Sequence, residues 1–159
     1  MHKISAQLVC RTATSADAKN VAQILISSRK AFLPYAPSPH TDAEIRSWVE
    51  TCLLVDCDVT VAVVDNISVG VLAVSVEDGI SWIEQLYIDP QYVNRGLGTL
   101  LLDELFSRQQ ATFRLYCFQR NSRARALYER YGFKAIGYSD GANNEEQCPD
   151  VLYQRISSK

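Results

Sequence analysis

The chain has 159 residues, of which 47% are hydrophobic, and this favours a single domain over residues 1–159 with one sizeable core. The formal net charge of −2 lacks the strongly basic balance of nucleic-acid-binding proteins, so we expect no nucleic-acid partner. No apolar run approaches the roughly 20 residues that a membrane-spanning helix needs, so we expect no membrane association.

The first third of the chain is predicted to form one strand and two helices. Residues 6–13 read as a strand. A Thr14-x-x-Asp17 capping box then opens a helix over residues 18–32, and three prolines in the following segment end it. A second capping box, Thr41-x-x-Glu44, opens another helix whose apolar residues recur at helical spacing.

Three strand-like runs follow, over residues 58–65, 67–76 and 80–89. The dipeptides Asp65-Asn66 and Asp78-Gly79 separate them and are typical of tight hairpin turns. Strands joined by so few residues must be antiparallel.

The second half of the chain alternates helices and strands. A glycine turn and a helix follow Pro90, and the strand at 112–119 is then expected to lie parallel to the strand before the turn. Asn121 caps a second helix, which Gly132 ends, and two closing strands surround a polar loop. This order predicts an α+β fold with a mixed, mostly antiparallel sheet of about seven strands flanked by four helices.

The turn in QYVNRGLGTLLLDEL combines two glycines with a leucine-rich helix. Glycine lets the backbone approach a ligand closely, and the first turn of a helix presents free N–H groups, so the pattern predicts an anion site, a phosphate above all. A dinucleotide fingerprint would need a third glycine where Leu101 stands, and the Lys-Ser/Thr of a P-loop is absent. The remaining alternative is that Gly96 and Gly98 only connect a strand to a helix.

Three blocks of the sequence resemble the GNAT superfamily of acyl-CoA N-acyltransferases, and together they cover nearly the full chain. WIEQLYIDPQYVNRGLGTLLL is similar to the acetyl-CoA motif of that family, a strand followed by (Gln/Arg)-x-x-Gly-x-(Gly/Ala). NSRARALYERYGF is similar to its Asn-x-x-Ala-x-x-x-Tyr-x-x-x-Gly-Phe helix, and RTATSADAKNVAQI to its opening strand and helix. The glycine motif alone is common, whereas the glycine turn followed by the Asn-Tyr helix is specific.

The resemblance implies acetyl-CoA as co-substrate, bound by backbone groups of the strand and of the glycine turn. Val93 departs from the family pattern, which has Gln or Arg there, and Arg95 is the nearby residue that can supply the positive charge. The residues expected to bind acetyl-CoA are Leu86, Tyr87, Ile88, Val93, Asn94, Arg95, Gly96, Leu97, Gly98, Thr99 and Asn121.

Two side chains are candidates for proton transfer. Strict alternation puts Glu84 on one face of its strand with Trp82 and Leu86, where desolvation would raise the pKa of its carboxyl group and favour a general base. The alternative is a strand carboxylate in an ion pair. The resemblance implies that Tyr128 is the general acid at the CoA sulfur; the alternative is a core aromatic.

The predicted function is therefore an N-acetyltransferase (EC 2.3.1 class) in which a primary amine attacks acetyl-CoA directly within a ternary complex. The acceptor is a small molecule or a peptide or protein amine, and the enzyme is a monomer or homodimer. Phe32, Tyr35 and His40, in and before the proline-rich segment, are expected to line the acceptor side. The alternative is a non-catalytic acyl-CoA-sensing or interaction domain of the same fold.

The five cysteines are scattered and contain no Cys-x-x-Cys pair. Their odd number and wide spacing favour reduced thiols in a cytoplasmic protein over a disulfide framework or a zinc site, so we expect no metal. The N-terminal residues also lack the apolar stretch of a signal peptide.

Overall fold

The computed structural model describes residues 7–157, which form one seven-stranded mixed sheet with four helices packed on its two faces. The predicted α+β architecture is confirmed. Ala6, predicted to begin the first strand, lies outside the described residues. The strands are β1 Leu8–Thr12, β2 Asp58–Val64, β3 Ile67–Glu77, β4 Ile80–Ile88, β5 Phe113–Phe118, β6 Lys134–Ser139 and β7 Asp150–Arg155.

The four helices match the predicted ones in number and order. They are α1 Ala18–Phe32, α2 Asp42–Trp48, α3 Leu97–Arg108 and α4 Ser122–Arg130. Helix α2 continues through a π-helical turn, Val49–Leu53, into a last short turn, Leu54–Asp56. Single 3₁₀ turns, Ser15–Asp17 and Pro90–Tyr92, precede α1 and follow β4.

The strand order across the sheet is β1-β2-β3-β4-β5-β7-β6. All neighbouring pairs are antiparallel except β4 and β5, which the crossover through α3 makes parallel, as predicted. The Asp65-Asn66 turn has positive φ at both residues (50° and 68°), as does Asp78-Gly79 (52° and 77°). These values match the hairpin turns that the two dipeptides predict.

Both faces of the sheet are covered, and each has its own hydrophobic cluster. Leucines 101, 102 and 105 of α3 pack with Phe113, Tyr128 and Tyr153 on one face. Residues of α1 and of the π turn, among them Val21, Leu25 and Val49, pack on the other. No helix within residues 7–157 is long and apolar enough to span a membrane. Over the same range, which includes all five cysteines, every thiol is free.

The sheet opens between β4 and β5. These two strands pair only at Ser81 with Phe113 and at Trp82 with Arg114, although β4 continues to Ile88 and β5 to Phe118. Beyond Trp82 the strands diverge, so the β5-facing edge of β4 is left without a ladder partner and borders a cleft. The candidate site lies in this cleft.

Candidate active site

The cleft between β4 and β5 consists of two joined cavities. One, which we call the turn-side cavity, has a volume of about 650 Å³ and is bordered by the glycine turn and the start of α4. The other, the loop-side cavity, has about 500 Å³ and is bordered by β5 and the loop between β6 and β7. The residues common to both walls are Leu33, Leu86, Tyr87, Asn121, Ala124 and Tyr128.

The glycine turn points free backbone donors towards the turn-side cavity. Gly96 is the N-cap of α3, with φ of 76°, and no side chain caps the helix. Within the described part of the chain, the N–H groups of residues 95–99 donate to no backbone or side-chain acceptor. Unpaired donors at the positive end of a helix form a site for an anion.

Three arginines, Arg120, Arg123 and Arg130, line the turn-side cavity, and no Asp or Glu is among its described lining residues. The guanidinium of Arg120 lies 4.4 Å from the ring centroid of Tyr35, and that of Arg123 lies 5.8 Å from the ring centroid of Phe32. Arg123 also donates a hydrogen bond to the side chain of Asn94. The aromatic rings thus hold two cations in the wall of the turn-side cavity.

The loop-side cavity has the opposite charge. Glu84, Glu146 and Asp150 line it, whereas its described lining residues include no Lys, Arg or His. Glu146 forms an ion pair with Arg29 of α1 at 2.9 Å, and both side chains are largely buried. Arg29 also contacts the hydroxyl of Tyr87 at 3.4 Å. Burial raises the pKa of Tyr87, which therefore stays neutral at physiological pH.

Glu84 lies in the cleft, but the predicted burial of its carboxylate is wrong. The register of β4 against β3 pairs Val74 with Ile83 and Ala73 with Gln85, so Glu84 is the extra residue of a β-bulge. The bulge breaks the alternation: Trp82 stacks on Tyr116 at 5.6 Å, whereas Leu86 packs in the α3–α4 core with Ile83. The Glu84 side chain is exposed and accepts a hydrogen bond from the hydroxyl of Ser75 at 2.7 Å.

Tyr128 lies where the two cavities meet. The residue is 7% exposed and packs edge-on against Phe133, with 5.6 Å between ring centroids. In residues 7–157 no group forms a hydrogen bond with its hydroxyl. Burial raises the pKa of Tyr128, so its hydroxyl keeps its proton at neutral pH and is available as a donor.

Asn121 and the other residues expected to bind acetyl-CoA lie together, with one exception. The Asn121 side chain accepts a hydrogen bond from the N–H of Ala124 at 3.2 Å, so the residue is the N-cap of α4, and it also borders both cavities. Leu86, Tyr87 and Ile88 line the turn-side cavity, as do Val93, Asn94 and residues 96–99. The exception is Arg95, whose guanidinium lies 5.1 Å from the ring centroid of Tyr92 and is not part of the lining.

Of the three residues expected to line the acceptor side, two border the turn-side cavity and one borders neither cavity. Phe32 and Tyr35 line the turn-side cavity with the glycine turn, because the segment after α1 crosses over the start of α4. His40 lines neither cavity; its ring nitrogen lies 3.0 Å from the carboxylate of Glu145 at the surface.

Several cleft residues were missed from the sequence. Arg120 and Arg123 flank Asn121, and two basic residues around a predicted helix N-cap could have indicated an anion-binding site from the sequence alone. Asp150 and the Arg29–Glu146 pair had no local signal, because their roles depend on contacts between distant parts of the chain. No group of three or more His, Cys, Asp or Glu side chains within residues 7–157 is arranged to hold a metal ion.

The sequence matches one family model, described as an acetyltransferase (GNAT) domain, over residues 55–135. The matched range runs from the end of the second helical segment into β6, so it includes the bulge at Glu84, the glycine turn and Tyr128. No curated protein is significantly similar in sequence.

Many solved structures share the fold. The apo form of YjaB from Escherichia coli is 20% identical, with a TM-score of 0.72 over 96% of this chain and 99% of that one. The PaiA N-acetyltransferase of Thermoplasma acidophilum, in complex with coenzyme A, is 18% identical, with a TM-score of 0.72 over 94% of this chain and 99% of that one. RimL, a ribosomal L7/L12 α-N-protein acetyltransferase in complex with coenzyme A, is 20% identical, with a TM-score of 0.72 over 98% of this chain and 97% of that one.

Proposed function

The chain belongs to the GNAT acetyltransferase family and is an acyltransferase of the EC 2.3.1 class, and we propose that it transfers an acetyl group from acetyl-CoA to a primary amine by direct attack in a ternary complex. The observation that carries this proposal is the charge of the two joined cavities. The turn-side cavity is lined by arginines and the loop-side cavity by carboxylates. An anionic acetyl donor fits the first and a cationic amine fits the second.

The turn-side cavity has the groups that an acetyl-CoA molecule needs. Its pyrophosphate would accept hydrogen bonds from the free N–H groups of residues 96–99, and Arg120 and Arg123 in the wall of the same cavity would neutralise phosphate charge. The pantetheine arm would lie along the unpaired edge of β4 at Leu86, as an added strand does. Acetyl-CoA supplies the thioester carbonyl that an amine can attack.

Tyr128 is proposed to donate its proton to the leaving sulfur. The hydroxyl keeps its proton, has no hydrogen-bond partner among the described residues 7–157 and lies between the two cavities. A thiolate leaving group is a far stronger base than a thioester sulfur, so the proton that Tyr128 keeps at neutral pH can pass to it as the C–S bond breaks.

Glu84 is proposed to accept a proton from the attacking amine, directly or through water. The carboxylate lies at the bulge of β4, in the wall of the acidic cavity, and Ser75 orients one of its oxygens. As the new C–N bond forms and the C–S bond breaks, the amine loses protons that must leave the site. An exposed carboxylate can pass them to solvent.

The test combines binding with turnover. Acetyl-CoA at about 100 times its dissociation constant should stabilise the protein by roughly 2.7 kcal/mol in a thermal melt. Release of CoA should then depend on added amine, measured across small amines, amino acids and peptides. Stabilisation without turnover of any amine would favour an acyl-CoA-sensing protein, and a melt unaffected by millimolar acetyl-CoA or CoA would contradict the proposal.

A further inference from the structure

We infer that the acceptor is a small molecule with two positive charges, of which one is the reacting amine and the other is bound by Asp150. This inference rests on the proposed acetyl transfer and narrows its acceptor. It comes from how the three carboxylates of the loop-side cavity are partnered, together with the position of the Tyr128 hydroxyl.

Only two of the three carboxylates keep an uncompensated charge. The ion pair with Arg29 neutralises Glu146, and the Arg29 guanidinium also donates to the backbone oxygen of Ala36, which fixes the pair. Among residues 7–157, Glu84 and Asp150 are hydrogen-bonded only by neutral groups. The cavity therefore presents two negative charges to its contents.

Asp150 is held in position without being neutralised. It is the first residue of β7, and the hydroxyl of Ser139 on β6 donates to its Oδ1 at 2.6 Å. The side-chain amide of Asn144 donates to its Oδ2 at 3.2 Å. A carboxylate accepts about four hydrogen bonds, so acceptor capacity remains for a ligand. A fixed carboxylate in the wall of a cavity is a site for an ammonium or guanidinium group.

The two charges are spaced for two cationic groups. Glu84 lies on β4 and Asp150 on β7, with β5 between them. Two inter-strand spacings separate the backbones by about 9.5 Å, and the divergence of β4 from β5 adds to this distance. The hydroxyl of Ser75 on β3 holds Glu84, and the hydroxyl of Ser139 on β6 holds Asp150, so the two carboxylates are drawn to opposite sides of the cavity. An ammonium group contacts carboxylate oxygens at about 2.8 Å, so each carboxylate binds a cationic group of its own.

The Tyr128 hydroxyl marks which end of the cavity performs the chemistry. This hydroxyl has no partner in residues 7–157, belongs to a 7% exposed residue, and borders both cavities beside Leu86 of β4. The reacting nitrogen must be neutral when it attacks, so a carboxylate has to take up its proton. We assign this role to Glu84, which lines the cavity with Tyr128 and lies on the same strand as Leu86. Asp150, on the far strand, binds a cation that never has to lose its proton.

The first experiment uses the wild-type protein and matched acceptors. We would measure kcat/KM for α,ω-diamines with three to six methylene groups, each against the monoamine, the amino alcohol and the amino acid of equal length. A charged hydrogen bond predicts a preference of about 10- to 100-fold for the diamine over the monoamine and amino alcohol. The amino acid, with its negative end, should react least. The diamine advantage should fall with added salt.

The second experiment assigns the preference to Asp150. In Asp150→Asn the ratio of diamine to monoamine kcat/KM should fall towards one, with the dissociation constant of acetyl-CoA unchanged. Glu145→Gln is the matched control: it removes a carboxylate that lies in the loop before Asp150 and that lines neither cavity, and its ratio should equal that of wild type. Melting temperatures of both variants identify a folding defect, and the wild-type ratio and its salt dependence do not depend on either variant.

The outcomes separate this inference from the proposed function. If no amine is acetylated and acetyl-CoA does not stabilise the protein, both fail. If amines are acetylated but monoamines react as well as diamines, only the dication inference fails. It also fails if Asp150→Asn and Glu145→Gln give the same selectivity ratio.

Discussion

Gly98 of α3 faces Leu127 of α4 so closely that a Cβ atom at position 98 would lie 3.3 Å from Leu127 Cδ2. A Cβ atom added to Gly96, two residues earlier, would have no atom of residues 7–157 within 4 Å. The φ of Gly96, however, is 76°, a value that residues with side chains rarely adopt. The two glycines therefore serve different purposes. Gly98 lets the two helices that border the turn-side cavity approach, and Gly96 forms the left-handed backbone of the turn.

Gly98→Val should weaken acetyl-CoA binding while most secondary structure is retained. The branched side chain would press on Leu127 of α4 and displace the first turn of α3, whose free N–H groups would then no longer face the anion they bind. The measurement is the dissociation constant, with circular dichroism as a check on folding. Gly96→Ala is the comparison and should lower stability by about 1–2 kcal/mol through backbone strain. Unchanged affinity in a folded Gly98→Val protein would mean that the turn is only a connector.

Tyr128→Phe should lower kcat by about 10²-fold and leave the dissociation constant of acetyl-CoA nearly unchanged. The substitution removes a proton donor and very little volume, and the packing against Phe133 is retained. Because no group in the part of the chain that the structure describes pairs with the hydroxyl, its loss should not destabilise the fold. Kinetics measure the loss of kcat, and thermal melts measure the stability. Full turnover in the variant would mean that Tyr128 is only a core aromatic residue.

Glu84→Gln should lower turnover most at low pH. There the acceptor amine is protonated and depends most on a base, whereas at high pH free amine is abundant. Ser75→Ala is a useful partner variant because it removes the hydrogen bond to Glu84 and keeps the carboxylate. Its effect on kcat should be smaller than that of Glu84→Gln. A pH–rate profile of Glu84→Gln that superimposes on that of wild type would contradict the proposal that Glu84 is the general base.

The helix ends and hairpins were predictable because their determinants are local. Thr41 and Glu44 form their reciprocal capping bonds, at 2.9 and 3.1 Å, within one turn of chain. Asn121 likewise caps α4 locally, by accepting a hydrogen bond from the N–H of Ala124, three residues later in the chain. The surroundings of Glu84 were not predictable, because the bulge depends on how β3 and β4 pair, and a shift of one residue moves side chains to the opposite face.

The charges of the two cavities could not be predicted for a related reason. The negative charge of Glu146 is compensated by an ion pair with Arg29, which lies 117 positions away in the sequence. Phe32 was placed on the acceptor side by its position between the first two helices, whereas its ring lies beside Arg123 in the turn-side cavity. Such contacts arise from tertiary packing and leave no periodic or motif signal.

Asp17 should make the fold sensitive to acid. Two hydrogen bonds from the Arg11 guanidinium, at 2.8 and 2.9 Å, hold the pKa of this carboxyl group below its ordinary value, and the N–H of Thr14 adds a third. A folded pKa below the unfolded one contributes stability above the unfolded value, and this stability is lost as pH falls through the folded value.

Asp17→Asn should therefore lower the free energy of unfolding at pH 7 by roughly 1–3 kcal/mol, with a smaller difference from wild type near pH 3. Urea unfolding at both pH values measures this. Asp42→Asn is the control, because Asp42 pairs with Lys30 in an exposed ion pair worth at most about 1 kcal/mol. An equal loss at pH 3 and pH 7 would mean that the carboxylate charge of Asp17 is not what stabilises the helix start.

Tyr35→Ala should raise the Michaelis constant of acetyl-CoA and leave that of the acceptor nearly unchanged. The Tyr35 ring is the platform beneath Arg120, with 4.4 Å between the guanidinium and the ring centroid, and it also packs edge-on against Phe118. Removing the ring frees Arg120 from its position in the wall of the turn-side cavity. A cation–π contact of about 0.5–2 kcal/mol corresponds to a 2- to 30-fold effect on affinity.

Tyr35→Phe is the matched variant that separates the ring from the hydroxyl. The hydroxyl is buried and has no hydrogen-bond partner within residues 7–157, so replacing it with hydrogen should leave acetyl-CoA affinity as it is. It should also raise the melting temperature slightly, because a desolvated and unpaired polar group is removed. If Tyr35→Ala instead raises the acceptor constant alone, the segment after α1 contributes to the acceptor side and the assignment of the two cavities must be reversed there.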